Sequence, residues 1–201
     1  GNHGIQGHVF IKGDFSINKY WRAGANINYT SSANYMRDYR VQGYGADTLN
    51  SNAYLEGFGT GSYSRLDGQY YQGLNQGTIH NKDLPLVLPR YTYSFTGQPD
   101  LLGGRLSLST TDFNVRRDNG VSDQRGELQL NWNRPFHTKM GQQSLLTLRL
   151  DSMVYRARKL YQQPTYYNTS RTTVSGQVLP TIALKTNWPF VRTFEHGRGS
   201  Q

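Results

Sequence analysis

The stretch Gly126 to Asn133, GELQLNWN, alternates without a break: Leu128, Leu130 and Trp132 hold the even positions, and Glu127, Gln129, Asn131 and Asn133 the odd ones. Side chains along a β-strand point to opposite faces in turn, so a period of two predicts one apolar and one polar face. Ser144 to Tyr155 repeats the pattern, with Leu146, Leu148, Leu150 and Val154 opposite Thr147, Arg149 and Asp151. The short turn Pro135 to Gly141 joins the two strands, which must therefore share their apolar face.

Working outward, about nine strands carry this period. The first runs from Ile5 to Ile17, with Val9, Ile11, Phe15 and Ile17 opposite His8, Lys12, Asp14 and Ser16. The second, Trp21 to Thr30, sets Trp21, Ala23, Ala25, Ile27 and Tyr29 against Arg22, Gly24, Asn26 and Asn28. Ala53 to Gly59, Tyr63 to Gln72, Arg90 to Thr96 and Arg105 to Val115 precede the Gly126 and Ser144 strands, and the last spans about Thr173 to Trp188. The intervening connections alternate. Asn18 to Tyr20, Thr60 to Ser62, Gln98 to Gly104 and Pro135 to Gly141 are short; Ser31 to Asn50, Gly73 to about Val87 and Arg156 to Ser170 are long. Arg116 to Gln124, with its Asp118-Asn119-Gly120 turn signal, is of medium length. Short turns alternating with longer loops are the habit of outer-membrane barrels, and no window shows a helical period. The expected fold is all-β: an antiparallel up-and-down meander forming part of a large outer-membrane β-barrel.

Bulk composition agrees. Of 201 residues, 35% are hydrophobic, against about 45–50% for an ordinary soluble domain. The mean hydropathy of -0.71 leaves no apolar run long enough for a transmembrane helix. Yet 15 tyrosines are too many for simple disorder. A barrel with a polar lumen needs only one apolar side per strand and fits both facts. The absence of cysteine excludes a disulfide framework and thiolate metal sites. A net charge of +9 attracts anionic partners: nucleic acid, anionic lipid or a phosphorylated glycolipid. Nucleic acid is disfavoured, because the basic residues do not cluster beside a stacking platform.

No catalytic constellation emerges, and neither an enzymatic activity nor a cofactor is expected. The histidines at 3, 8, 80, 137 and 196 lack metal-ligand spacing, and Gly103-Gly104 reads as a turn because no helix follows it. Asp67, Asp112 and Asp151 lie on different strands and could pair in the lumen, which is the ordinary state of lumen charges and no sign of an active site. Pro180 predicts a bulge or distortion in the last strand, since it removes a ladder donor. Asn168-Thr169-Ser170 fits a glycosylation pattern by chance. Trp21, Tyr63, Trp132 and Trp188, each close to a short connection, are the candidate aromatic girdle. Barrels of one chain use an even number of strands, whereas about nine are counted, and the chain ends in the polar run Gly197 to Gln201. The expectation is a segment of something larger.

Several runs then resemble the LptD (lipopolysaccharide-assembly, or organic solvent tolerance) family. They are Ser32 to Tyr39, Ala53 to Phe58, Leu84 to Tyr91, Asp123 to Leu128 with Trp132, and Leu179-Pro180 with Trp188 to Arg192, in the family's order. The resemblance implies a large outer-membrane barrel with a periplasmic N-terminal jellyroll, an LptE-like plug lipoprotein and an LptA-like periplasmic bridge that delivers lipopolysaccharide. The sequence departs from the family by lacking its usual cysteines, the jellyroll and the closing strands. On this view Lys12, Arg22, Arg65, Arg90, Arg149 and Lys185, all of polar parity, line the lumen as a lipopolysaccharide path. The alternative is that Asp14, Asp67, Glu127 and Asp151 tie them into ion pairs that merely hold the wall. A passive porin-like channel and a soluble glycan-binding or adhesin domain remain the rival readings.

Overall fold

The computed structural model describes residues 5–74, 77, 79–158 and 172–190. It contains one nine-stranded antiparallel sheet in strict sequence order, a meander. The elements are β1 (His8–Ser16), β2 (Trp21–Thr30), α1 (Ala33–Asp38), β3 (Thr48–Gly59), β4 (Ser62–Gly73), β5 (Leu86–Pro99), β6 (Arg105–Arg116), β7 (Ser122–His137), β8 (Gln143–Arg158) and β9 (Thr172–Asn187). The connection at 159–171, the Asn168 pattern, the Gly197 run, His3, His196, and Val191 and Arg192 of the last motif lie outside the described residues.

The two-face alternation survives every strand-to-strand step. Phe15, Ala23, Leu55, Leu66 and Tyr91 stand opposite one another in turn across β1 to β5. Leu106, Trp132, Leu148 and Ile182 do the same across β6 to β9, as do Leu108, Leu130, Leu150 and Pro180. No described residue covers this apolar face: Ile11 is 54% exposed, Leu148 40% and Ile182 79%. Buried hydrophobics among the described residues are only Met36, Leu49, Leu74, Val121 and Ala157. Cohesion therefore comes from the ladders, because interstrand hydrogen bonds satisfy the backbone where no packed core exists.

The small cores both lie at the long-connection edge. Met36 of α1 packs with Leu49 and Leu74, flanked by Phe10, Tyr35 and Val41. Val121 of the β6–β7 connection packs on Ala157. The Asn119 N–H donates to the Lys82 carbonyl at 2.9 Å, tying that connection to the one between β4 and β5. The helix departs from the sequence expectation. Six residues complete too few turns to print a 3.6-residue period, although Ser32, whose hydroxyl accepts from the Tyr35 N–H, is a suitable N-cap. At Pro180 the expected distortion is absent: the β8–β9 register runs through it unshifted. Proline removes only an N–H, and β9 has one neighbour in the described sheet, so a donor aimed away from β8 is not missed there. The irregularity sits instead in β5, where the registers with β4 and β6 both shift next to Leu88 and Pro89. The Asn114 carboxamide donates to the Leu88 carbonyl at 3.0 Å and binds the extra residue.

Between β2 and β3 the ladder stops at Asn26 opposite Asn52. Beyond it, the Ser51 hydroxyl bridges the N–H and C=O of Asn28, both at 2.9 Å. Further up, the Gln72 carboxamide accepts from the Thr30 N–H at 3.0 Å and donates to its carbonyl at 2.6 Å. Side chains continue what the backbone leaves off.

Aromatic rings lie over glycines of neighbouring strands. Tyr54 stands opposite Gly24 and leaves no room for a Cβ there; Trp21 covers Gly57, and Trp132 covers Gly104. Gly24→Val would displace Tyr54 and break its 2.6 Å hydrogen bond to Asp14. The expected cost is about 1–3 kcal/mol, read from the urea midpoint of the full-length chain refolded in micelles. A second prediction concerns Asp100, in the turn between β5 and β6. Its carboxyl is held below the ordinary value by the Trp132 indole N–H at 2.7 Å, then by the Gly104 and Leu102 N–H groups. A depressed folded pKa contributes stability above the ordinary carboxyl range, lost as pH falls through the folded value. Acidification to below the ordinary aspartate range should thus shift Trp132 fluorescence, and Asp100→Asn should remove that transition.

Candidate functional site

The polar face, from β1 to β5, carries a connected charge network. Asp67 is its hub, with its side chain 3% exposed. One of its oxygens accepts from the Arg65 Nε at 3.0 Å and from the Arg90 Nε and Nη2 at 3.1 and 2.9 Å. Arg65 also reaches Glu56 at 3.3 Å and lies over the Tyr54 ring, 4.3 Å from its centroid. The Tyr63 hydroxyl donates to the same Glu56 oxygen at 3.0 Å, and Arg22 stands over Phe58. A carboxylate this buried is tolerable because two guanidinium groups share it.

A second cluster lies on β7 and β8. Arg149 bonds Asp151 at 2.6 Å, Gln129 donates to the other Asp151 oxygen at 2.9 Å, and Arg125 pairs with Glu127. These two ion pairs run along a strand, two residues apart; Arg90–Asp67 and Arg65–Glu56 cross between strands. Asp14 accepts from Tyr54 and has no arginine within ion-pair distance among the described residues.

The register puts all six candidate cations on this face: Lys12 opposite Asn26, Arg22 opposite Glu56, Arg65 opposite Thr92, Arg90 opposite Asp67, Arg149 opposite Asn131 and Lys185 opposite Leu145. They do not form one patch. Arg65 and Arg90 share a carboxylate and Arg149 has its own, whereas Lys12, Arg22 and Lys185 have no carboxylate within 4.0 Å among the described residues. Polar parity holds eight cations (Arg105 and Arg125 being the others) against six carboxylates, Asp14, Glu56, Asp67, Asp123, Glu127 and Asp151. The face is close to balanced.

Two expectations need correction. Tyr63 does not share the apolar face with Trp21 and Trp132: it stands opposite Phe58 and Ser94, on the Arg65 side, and bonds Glu56. It precedes Arg65 by two residues, so parity alone would have placed it there. Asp112 likewise is not on the polar face with Asp67 and Asp151; it stands opposite Gly126 and Tyr91, in line with Leu106 and Leu108. Trp188 follows β9 and stacks on Phe190, with centroids 5.5 Å apart. Tyr54, Glu56 and Phe58 lie in the Ala53 to Phe58 motif, but the sequence assigns them no place in a site, because only the register reveals what they face.

Among the described residues, Asp67→Ala would leave Arg90 without a carboxylate and Arg65 with Glu56 alone. We expect a loss of about 2 kcal/mol, below the ~3–5 of a fully buried pair because Arg65 and Arg90 keep 33% and 39% of their side chains in solvent. Urea titration of the full-length chain, with Asp112→Ala as an inert comparison, measures it. Among known families, LPS transport system D (LptD) matches residues 4–201, a span that takes in all nine strands. No curated protein matches the chain. With that extent of match, the chain belongs to the LptD family, whose function at the family level is lipopolysaccharide transport.

Proposed function

We propose that this sheet is a section of the wall of an outer-membrane barrel that carries lipopolysaccharide to the outer leaflet, its apolar face against lipid and its polar face lining the lumen. One observation carries the reading: two faces kept across nine strands, the apolar one uncovered by any described residue. Dimensions support it. From Phe136 to Gly126 on β7 is ten residues, about 33 Å along the strand and about 23 Å along the normal at a 45° tilt, close to the height of about 25 Å of a barrel's apolar band. In this orientation the short turns face the periplasm, and Trp21 and Trp132 mark the inner edge of the band as an aromatic girdle. An LptE-like plug and an LptA-like bridge complete the machine.

A near-balanced wall suits transit. Phosphates of a passing glycolipid meet cations whose charge is already partly answered, so attraction stays weak and distributed and release is not blocked. Lys12, Arg22 and Lys185 offer the least compensated charge; Arg65, Arg90 and Arg149 add to the path while bracing the wall. The test has two arms in the full-length protein. Cysteines at Leu128, Leu130, Leu146, Leu148 and Leu150 should react with a lipid-soluble label, and those at Glu127 and Gln129 should not; the reverse pattern rejects the orientation. Lys12→Glu with Lys185→Glu should slow lipopolysaccharide arrival at the cell surface severalfold at normal barrel abundance. Unchanged export would leave these cations as scaffold only.

A further inference from the structure

The polar wall holds eight cations against six carboxylates, so little of the chain's net charge of +9 resides there. On the apolar-parity face, at the long-connection edge, β6 ends in Arg116 and β8 in Arg156 and Arg158. The register sets Arg156 opposite Gln124 and Arg158 opposite Ser122, and Asn114 opposite Gln124, so these groups share one face of β6, β7 and β8. A hollow of about 440 Å³ opens among Asn114, Arg116, Arg117, Ser122, Gln124 and Arg158. Arg117 is fixed at its rim: its Nη1 donates to the Val121 carbonyl at 2.9 Å, and its own N–H to the Ser122 hydroxyl at 3.2 Å. Arg116, Arg156 and Arg158 have no carboxylate within 4.0 Å among the described residues; on the other face Arg22 and Arg105 share that state, but Arg65, Arg90, Arg125 and Arg149 are paired. Asp112, one step further down, is the one carboxylate of this parity on β6 to β8 among the described residues.

Below the arginines the face changes character. Gly126, Val154 and Gly176 form one row, then Leu128, Ser152 and Val178, then Leu130, Leu150 and Pro180. Glycines and a serine between branched apolar side chains make a shallow, greasy surface in line with the charges above. Guanidinium groups match phosphate oxygens in a planar, bidentate way that ammonium groups do not. Cation above and apolar furrow below is the signature of an amphiphile with a phosphorylated head.

We infer that this corner of the outer wall is a binding site for a phosphate-bearing lipid of the outer leaflet, its headgroup held by Arg116, Arg117 and Arg158 with Arg156 alongside and its chains on the Leu128–Val154–Val178 surface. The inference rests on the orientation proposed above, and places a resident lipid outside the barrel rather than cargo within it. Occupancy would anchor the β6–β7 connection at the headgroup level.

The experiment uses the full-length protein purified in its native complex, with native mass spectrometry after incubation with bisphosphorylated lipid A, with fully dephosphorylated lipid A, or with millimolar inorganic phosphate. Wild type should retain phosphorylated lipid A at least about tenfold better than the dephosphorylated form, and Arg116→Gln with Arg158→Gln should abolish that preference. Arg134→Gln, on the same face at the short-turn edge, should leave it intact. Equal retention of both lipids by wild type overturns the site whether or not the double variant folds, as does an undiminished preference in a folded double variant. Displacement by inorganic phosphate at the same concentration as lipid would make it a free-anion site and also overturn the proposal. A lipid-soluble label on a cysteine at Leu148 in the same preparation separates failure of the site from failure of the orientation. Export by the Lys12 and Lys185 variants reports on the lumen path independently.

Discussion

A β-strand satisfies its backbone along two edges and displays its side chains on two faces, and the rest of this structure depends on that division. Every described strand finds its partners among its sequence neighbours, so the ladder needs no core to bring distant segments together. Freed from supplying a core, the side chains of one face are apolar and uncovered, and those of the other carry the charge. A slip of one residue at any step would exchange the faces from that strand onward. The aromatic rings seated over Gly24, Gly57 and Gly104 oppose such a slip, since only a glycine at those positions leaves room for them.

Charge is placed by the same rule, with different outcomes on the two faces. On the polar face arginines and carboxylates meet within a strand or across a pair, and Asp67 is buried because two guanidinium groups converge on it. That arrangement stiffens the wall and mutes its attraction for anions. At the long-connection edge of the opposite face, Arg116, Arg156 and Arg158 have no such answer among the described residues. The positive excess of the whole chain therefore says little about the wall of the lumen, whose strands carry eight cations against six carboxylates.

The few buried side chains mark where the ladders end. Met36, Leu49 and Leu74 close the space beneath α1, and Val121 on Ala157 holds the β6–β7 connection. Nearby, Ser51 and Gln72 carry the β2–β3 seam past its last backbone pair. The turn edge is built from tight hairpins, whereas the connection edge is a patchwork of short-range packing and side-chain hydrogen bonds.

By itself, the sequence determined the strands, their count and their two faces, because a period of two can be read residue by residue: Leu128, Leu130 and Trp132 against Glu127, Gln129 and Asn131 needs no partner to be seen. Parity also assigns Tyr63 to the Arg65 side and Asp112 to the Leu108 side, where turn proximity and residue type had suggested otherwise. The family was legible too, as a resemblance spread over five motifs. Register was not. Which carboxylate faces which arginine, the shift beside Leu88 and Pro89, and the continuous ladder at Pro180 depend on how far each strand slides along its neighbour. The helix within the Ser32 to Tyr39 motif was hidden because six residues are too short for a period, and only its packing on Leu49 and Leu74 makes it stable. The arginine corner was hidden for a related reason: Arg116 and Arg158 are 42 positions apart, and only the sheet brings them to one hollow.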